Sequence, residues 1–328
     1  MPANLPPKYF SAEAAFRTAK TPQEKIAALK EMLAIIPKHK GTEKLQAELK
    51  RKIARLKEEL QRGSSTKKGF SLYVEREGAG QVALVGPPNS GKSLLLKQST
   101  HAHPEVADYP FTTRLPQPGM VFFEDVPIQL VDLPPVAPGY FENWVAGILR
   151  TADALALIVD ASGSNPLEDL EAVERLLGER KIQLVREEPE FVEHPSVKPI
   201  RTVLVLNKMD APGAQENAEV LEELYRHRFP VVRVSAREAL GLQEFRRALF
   251  ELLQVVRVYS KRPGHEPDLQ KPFIFRSGAT LNDFARAIHK DFAEKLRYAR
   301  VWGHGRFEGQ RITHEYILKD KDVIELHM

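Results

Sequence analysis

Apolar residues recur along this chain in three rhythms. In the first sixty or so residues they fall three and four apart. Ile26, Leu29, Leu33 and Ile36 make one stripe, and Leu45, Leu49, Ile53, Leu56 and Leu60 make a second. That spacing puts each set on one face of a helix. Thr21-Pro22-Gln23-Glu24 reads as a capping box with proline at the first helical position. Pro37 ends the first helix and Gly41-Thr42 opens the second, so residues 1–62 are expected to form an αα-hairpin joined through PKHKGT. Gly63 to Gly69, GSSTKKG, follows as a linker.

Beyond the linker, short continuous apolar runs alternate with helix-period segments. Strands are expected at 82–85, 121–124, 127–131, 154–159, 202–206 and 230–234, and helices at 92–99, 140–150, 166–177, 215–226 and 241–254. This alternation is the signature of an α/β domain with a largely parallel sheet, placed at 63–258. Lys181 to Lys198 is longer than a usual connection, and is an insertion or carries a strand at Ile182–Val185. From about Gln270 the rhythm changes again. Pro272–Arg276 reads as a strand, and Thr280 caps a helix that turns Phe284, Ile288 and Phe292 inward. Short strands follow near 299–302, 310–312 and 323–326, so residues 270–328 form a small α+β unit of β-grasp type.

The 328 residues suffice for these three cores, and no window approaches the ~18 apolar residues of a membrane span. MPANLPPKYF lacks the plan of a signal peptide, and the absence of cysteine excludes disulfides and thiolate chemistry. A cytoplasmic protein with no membrane partner is the expectation. The net charge of +4 is mild, but the polar side of the hairpin sets nine lysines and arginines against four glutamates. Lys50, Arg51, Lys52 and Arg55 crowd its centre. Two readings stay open there, an RNA-phosphate surface and a solvated helix face.

The candidate chemistry centres on GPPNSGKS, Gly86–Ser93, set between the apolar run Val82–Val85 and Leu94-Leu95-Leu96. Strand, glycine-bearing loop and helix make a phosphate cradle. Gly86 and Gly91 let the backbone turn its N–H groups inward, and Asn89, Ser90 and Leu94 complete the wall. Lys92 is placed to reach the β- and γ-phosphates and the Ser93 hydroxyl to ligate Mg²⁺. Four further stretches follow in the order a guanine-nucleotide hydrolase needs. Tyr109–Thr113 (109–113) supplies a switch threonine, Thr113 with Thr112 as alternative, for catalysis and Mg²⁺. Asp132, opening 132–135, closes an apolar strand where a carboxylate holds Mg²⁺ through water. Asn207-Lys208-Met209-Asp210 (207–210) offers Asp210 to guanine N1–H and the 2-amino group, Asn207 to the base edge and the Lys208 stem to its face. Adenine lacks those donors. Ser235-Ala236-Arg237 (235–237) brings a backbone N–H to guanine O6.

The series GPPNSGKS, YPFTT, DLPP, NKMD, SAR resembles the Obg-type GTPases. IPKHKGTEKLQAELKRKIARLKEEL and YARVWGHGRFEGQRI…LKDKDVIEL resemble the N-terminal helices and the TGS domain of the developmentally regulated GTP-binding proteins. The chain looks shorter than that family between Asp160 and Asn207. The resemblance implies GTP and GDP as ligands, Mg²⁺-assisted hydrolysis of GTP, and association with ribosomes or other RNA through the hairpin and the TGS domain. A regulatory protein is a further partner such a switch would take. Asn89 matches an asparagine that in related GTPases coordinates a catalytic K⁺; hydrogen bonding within the loop is its other reading. Two departures stand out. Pro135 occupies the glycine position of the D-x-x-G motif and has no N–H, and Val136 stands where Ras-like enzymes place a water-orienting glutamine, a position usually hydrophobic in Obg-like proteins. A guanine-nucleotide-binding scaffold that does not hydrolyse is therefore the alternative reading. An ATP-dependent enzyme is disfavoured by Asp210.

Overall fold

The computed structural model describes residues 22–36, 49, 51–52, 74–100, 115–189, 191, 194–305 and 307–327. It divides into two units, Met1–Ser71 and Leu72–Met328. In the first, helix α1 spans Pro22–Ile35. Its buried side chains are Ala28, Leu29 and Met32, with Ile36 just beyond, so the apolar face is turned slightly from the expected stripe and Leu33 is only half-buried. Leu49, Arg51 and Lys52 are helical; most of the basic hairpin lies outside the described residues.

The second unit opens with an α/β layer. Its elements are β1 (Gln81–Val85), α2 (Lys92–Ser99), β2 (Gln117–Phe123), β3 (Val126–Asp132), α3 (Asn143–Thr151), β4 (Ala154–Asp160) and α4 (Pro166–Glu179). They continue as β5 (Ile182–Val185), β6 (Lys198–Asn207), α5 (Ala214–Tyr225), β7 (Val231–Arg233) and α6 (Leu242–Leu253). The strands run in the order β2-β3-β1-β4-β6, with β5 and β7 both paired to β6. All pairs are parallel except β2 with β3. The central strands carry continuous apolar runs, Val82–Val85, 154–159 and 203–206, because both faces are covered. Ala83, Leu155, Leu157 and Leu204 pack beneath α3, α4 and α5, while Val82, Leu84, Ile158 and Val203 pack beneath α2 and α6.

The remaining elements are β8 (Val255–Lys261), β9 (Pro267–Arg276), α7 (Leu281–Ile288), α8 (Lys290–Lys295), β10 (Tyr298–Trp302), β11 (Gln310–Ile312) and β12 (Asp322–His327). They form a five-stranded sheet ordered β11-β10-β12-β8-β9, with α7 over one face. Phe284 of α7 is fully buried and meets the edges of Phe273 and Phe275, with ring centroids 5.4 and 6.1 Å away. This sheet starts at Val255, fifteen residues before the change of rhythm at Gln270. β8 follows α6 after a single residue, Gln254, whose positive φ of 51° turns the chain. Two strands also begin earlier than expected, β2 at Gln117 instead of 121 and β6 at Lys198 instead of 202. Pro118 and Pro199 argue against strand from sequence, yet proline is tolerated on an edge strand such as β2 and near a strand's start.

One side chain locks the two sheets together. Arg257 of β8 is 2% exposed. Its Nε and Nη2 donate to Asp320 at 3.0 and 3.1 Å, and its Nη1 lies 2.5 Å from Asp125 and 2.6 Å from Glu124, in the β2–β3 turn. The guanidinium sits 5.1 Å from the Phe250 ring and 5.9 Å from that of Phe123. Tyr259 donates to the other Asp125 oxygen at 2.6 Å, and Lys321 pairs with Glu124 at 3.0 Å.

Candidate functional site

Strands β3, β1, β4 and β6 end along one edge of the first sheet, with Leu84 beside Asp132 and Asp160 beside Asn207. Loops leaving that edge gather the candidate residues, as expected where ligands enter an open α/β sheet. The loop after β1 requires glycine twice. A Cβ on Gly86 would lie 2.1 Å from the Ile158 carbonyl oxygen, and one on Gly91 2.3 Å from Asn207 Nδ2, where φ is also +89°. The Lys92 ammonium is buried and folds back on the loop, donating to the Gly86 and Pro87 carbonyls at 3.2 and 3.0 Å. Ser90 donates to Pro87 O at 3.0 Å and keeps the loop curled. Ser93 and Leu94 are exposed in the first turn of α2. Asn89 stands exposed at the tip with φ 61°, a left-handed conformation that asparagine accepts better than most residues. This is a backbone reason for Asn89, in addition to the two readings of its amide.

Ser93 and Asp132 meet: the hydroxyl donates to Oδ2 at 2.5 Å. The other carboxylate oxygen, Oδ1, is buried with no hydrogen-bond partner. Burial pushes the Asp132 carboxyl above the usual range, against the Ser93 hydrogen bond and the Lys92 charge, which act in the opposite sense. A buried acceptor left unpaired is costly, and a divalent cation or its water would satisfy it. The residues present thus fit Mg²⁺. Beside them lies a cleft of about 490 Å³, bounded by Asn89, Lys92, Asp132 and Pro135. The loop after Asp132 is pinned under the phosphate loop by Val136, whose N–H donates to Gly86 O at 3.0 Å and whose side chain is buried. With Pro135 lacking an N–H, neither residue has a backbone donor to spare for a γ-phosphate.

At the far end, Asn207 ties two loops together. It is fully buried, its Nδ2 donates to Ser90 O at 2.8 Å, and its Oδ1 accepts from Ala236 N–H at 3.1 Å. The amide bridges the phosphate loop and the 235–237 loop, using one of its two N–H donors on Ser90 and its oxygen on the Ala236 N–H, and its second N–H is left for a base edge. Asp210 lies in the same group of loops. Ser235 donates to its Oδ1 at 2.5 Å and Arg237 lies 3.6 Å from its Oδ2. The Ser235 hydrogen bond above all holds this carboxyl below the ordinary range, so it is an ionised acceptor with lone pairs left for N–H groups. Lys208 adopts φ 64° and its ammonium lies 2.5 Å from Asp160. Burial alone would raise Asp160, but Lys208 and the Ser162 hydroxyl outweigh it and leave the group lowered. Sequence reasoning missed Asp160. The available signal was an acidic residue closing the apolar strand beside the one that ends in Asn207. Tyr109, Thr112 and Thr113 lie outside the described residues.

Residues 81–208 match the model of the 50S ribosome-binding GTPase family, and residues 256–328 match the TGS domain. An uncharacterised GTP-binding protein of Caenorhabditis elegans is 30% identical over 366 residues, covering 92% of this chain and 98% of that protein. Developmentally regulated G-protein 2 of Arabidopsis thaliana is also 30% identical over 366 residues, covering 92% and 90%. Ribosome-interacting GTPase 1 of Saccharomyces cerevisiae is 28% identical over 372 residues, covering 93% and 99%. These alignments are longer than the 328-residue chain, so the relatives carry residues that it lacks.

Proposed function

Because the chain belongs to the developmentally regulated GTP-binding protein family, we propose that it hydrolyses GTP to GDP and phosphate and that its nucleotide state sets its hold on the ribosome or another cytoplasmic RNA partner. The observation that carries the reading is the Ser93–Asp132 pair with its orphaned buried oxygen, next to a buried Lys92. Ser93, and Asp132 through water, would hold Mg²⁺, which when bound neutralises charge on the β- and γ-phosphates. Lys92, whose ammonium rests on the carbonyls of Gly86 and Pro87 in the same loop, exchanges them for those phosphates. Asp210, kept ionised by Ser235, accepts the two guanine N–H donors, and Asn207 holds the phosphate and base loops in register. The loop after Asp132 supplies no γ-phosphate donor from Pro135 or Val136, so unaided turnover is slow and a partner or cation completes the site.

The ribosomal part of the proposal is supported by the yeast relative, ribosome-interacting GTPase 1, and by the basic residues of the expected hairpin. A second reading, a scaffold that binds guanine nucleotide without hydrolysing it, is favoured by the one observation that the Val136 N–H is spent on Gly86. Co-sedimentation with ribosomes, in GDP and in a non-hydrolysable GTP analogue, tests the switch. Retention that differs several-fold between the two nucleotides supports it, and equal retention removes it.

A further inference from the structure

The β-grasp sheet has one face under α7 and part of the other held by the clamp on Arg257 and Tyr259. What remains of that second face is open, and its side chains form rows. Outward positions on β10 are Tyr298, Arg300 and Trp302, since Ala299 and Val301 between them are fully buried. By register, Lys261, Glu325, Arg300 and Arg311 stand in line across β8, β12, β10 and β11. Trp302 flanks that row on one side, and Tyr298 beside His327 flanks it on the other. Rings and cations are interleaved. The Lys261 ammonium lies 4.3 Å from the Trp302 ring centre, the Arg311 guanidinium 4.1 Å from that of Tyr298, and Tyr298 stacks on His327 at 4.5 Å.

The charge on this face is unbalanced. Among the described residues the carboxylate in these rows is Glu325, which is buried and already accepts from Lys261 at 2.6 Å and contacts His327 at 2.7 Å. Arg300 and Arg311 are exposed and directly opposite each other, and among the described residues neither has an ion pair. Like charges facing one another across a ladder are destabilising until an anion joins them. Tyr298 and Trp302 are roughly 13 Å apart along the strand, with Arg300 midway. Ring, cation, ring is a pattern suited to a polymer that alternates bases and phosphates; planar guanidinium groups stack on unpaired bases, and the half-buried Tyr298 ring, stacked on His327, offers a base its face when Arg311 turns from it to a phosphate. An acidic peptide would answer the charge but leave the rings unused.

We infer that this open face, centred on Arg300, Arg311, Tyr298 and Trp302, is a docking surface for single-stranded RNA. The inference rests on the reading of RNA as partner and adds where the contact lies. The full chain with GDP is titrated into a short fluorescein-labelled single-stranded RNA of mixed sequence across a salt series, and ribosome co-sedimentation is run in parallel. Arg300→Gln with Arg311→Gln lowers the slope of log affinity against log salt by roughly 1.4, two phosphates at ~0.7 each, and weakens binding. Tyr298→Leu weakens binding by about 5- to 150-fold with little change of slope, as for loss of one stacked base. Arg300→Lys with Arg311→Lys restores the slope, and Arg311→Gln alone, lowering it by about 0.7, serves if the double variant does not fold. Unchanged GDP affinity and melting temperature establish that each variant is folded.

If wild-type protein binds RNA and ribosomes and these variants bind as well as it does, this surface is refuted while the RNA reading stands. If wild type binds neither, both fall. If a poly-glutamate peptide binds through Arg300 and Arg311 and RNA does not, the face belongs to an acidic protein and the inference is overturned.

Discussion

Replacing Arg257 with methionine removes the charge of the clamp while keeping an apolar stem of similar length against Phe250 and Phe123. Three carboxylates, Asp320, Asp125 and Glu124, then face the vacated space without their shared cation. Breaking a buried ion cluster by removing one partner costs about 3–5 kcal/mol, because charges are left desolvated and uncompensated. The Glu124 contact adds little, since its side chain is 46% exposed and water screens it to under ~1 kcal/mol. The two-pronged Asp320 contact and the Asp125 contact carry most of the effect. For a unit of this size each kcal/mol moves the melting temperature by about 2–4 °C, so a drop on the order of 6–20 °C is expected. Urea denaturation of Arg257→Met, Asp320→Asn and the double variant measures the coupling, and the double should cost less than the sum of the singles.

The pH dependence of this clamp has a definite sign. Burial raises Asp125, but the Tyr259 hydroxyl and Arg257 outweigh it, so its folded pKa lies below the ordinary 3.8. Its contribution is therefore present above about pH 3.8 and is lost as pH falls through the lowered value. Burial and the Asp125 hydrogen bond push Tyr259 up to about 12, so its contribution is full below pH 10 and disappears between 10 and about 12. Arg257→Met within 1 kcal/mol of wild type at neutral pH, or additive single and double variants, would refute the account of the clamp.

Three further outcomes follow from the site. Asp210→Asn should lose guanine and gain xanthine nucleotides in competition binding, because the 2-oxo group of xanthine needs a donor; equal wild-type affinity for ATP and GTP would sink the guanine assignment. Asp132→Asn should raise the melting temperature of the nucleotide-free protein at pH 7. A carboxyl with a raised folded pKa stabilises only at acid pH, and that contribution is lost as pH rises through the folded pKa. The same variant should lose tenfold or more of the Mg²⁺-dependent gain in GTP affinity, and an unchanged Mg²⁺ response would remove Asp132 from the metal site. GTP turnover should be faster in K⁺ than in Na⁺, with the gain abolished in Asn89→Ala; equal rates in the two salts would leave Asn89 with its backbone role at φ 61° alone.

The central strands could be read because β1, β4 and β6 are buried on both faces and carry unbroken apolar runs. The phosphate loop could be read because its glycines have no substitutes: a Cβ on Gly86 or Gly91 would collide with Ile158 or Asn207. Long-range pairing was not legible. Arg257 looks like a solvent-facing cation in a strand, and only the fold brings Asp125 and Asp320 to it from 132 and 63 residues away. Asn207 was read by motif as a base contact, and the motif does not show that one of its amide N–H groups also holds Ser90, 117 residues away. Pro118 and Pro199 concealed strand ends because their cost depends on which neighbour is missing, and composition does not record that.

Phosphate release from GTP under multiple turnover, with and without ribosomes, tests the central proposal most directly. The account predicts slow release by the protein alone, a rise of at least tenfold on adding ribosomes, and loss of both rates in Lys92→Ala. Absence of any Lys92-dependent release, with ribosomes present and GTP bound, would contradict it and leave the non-hydrolysing scaffold in its place.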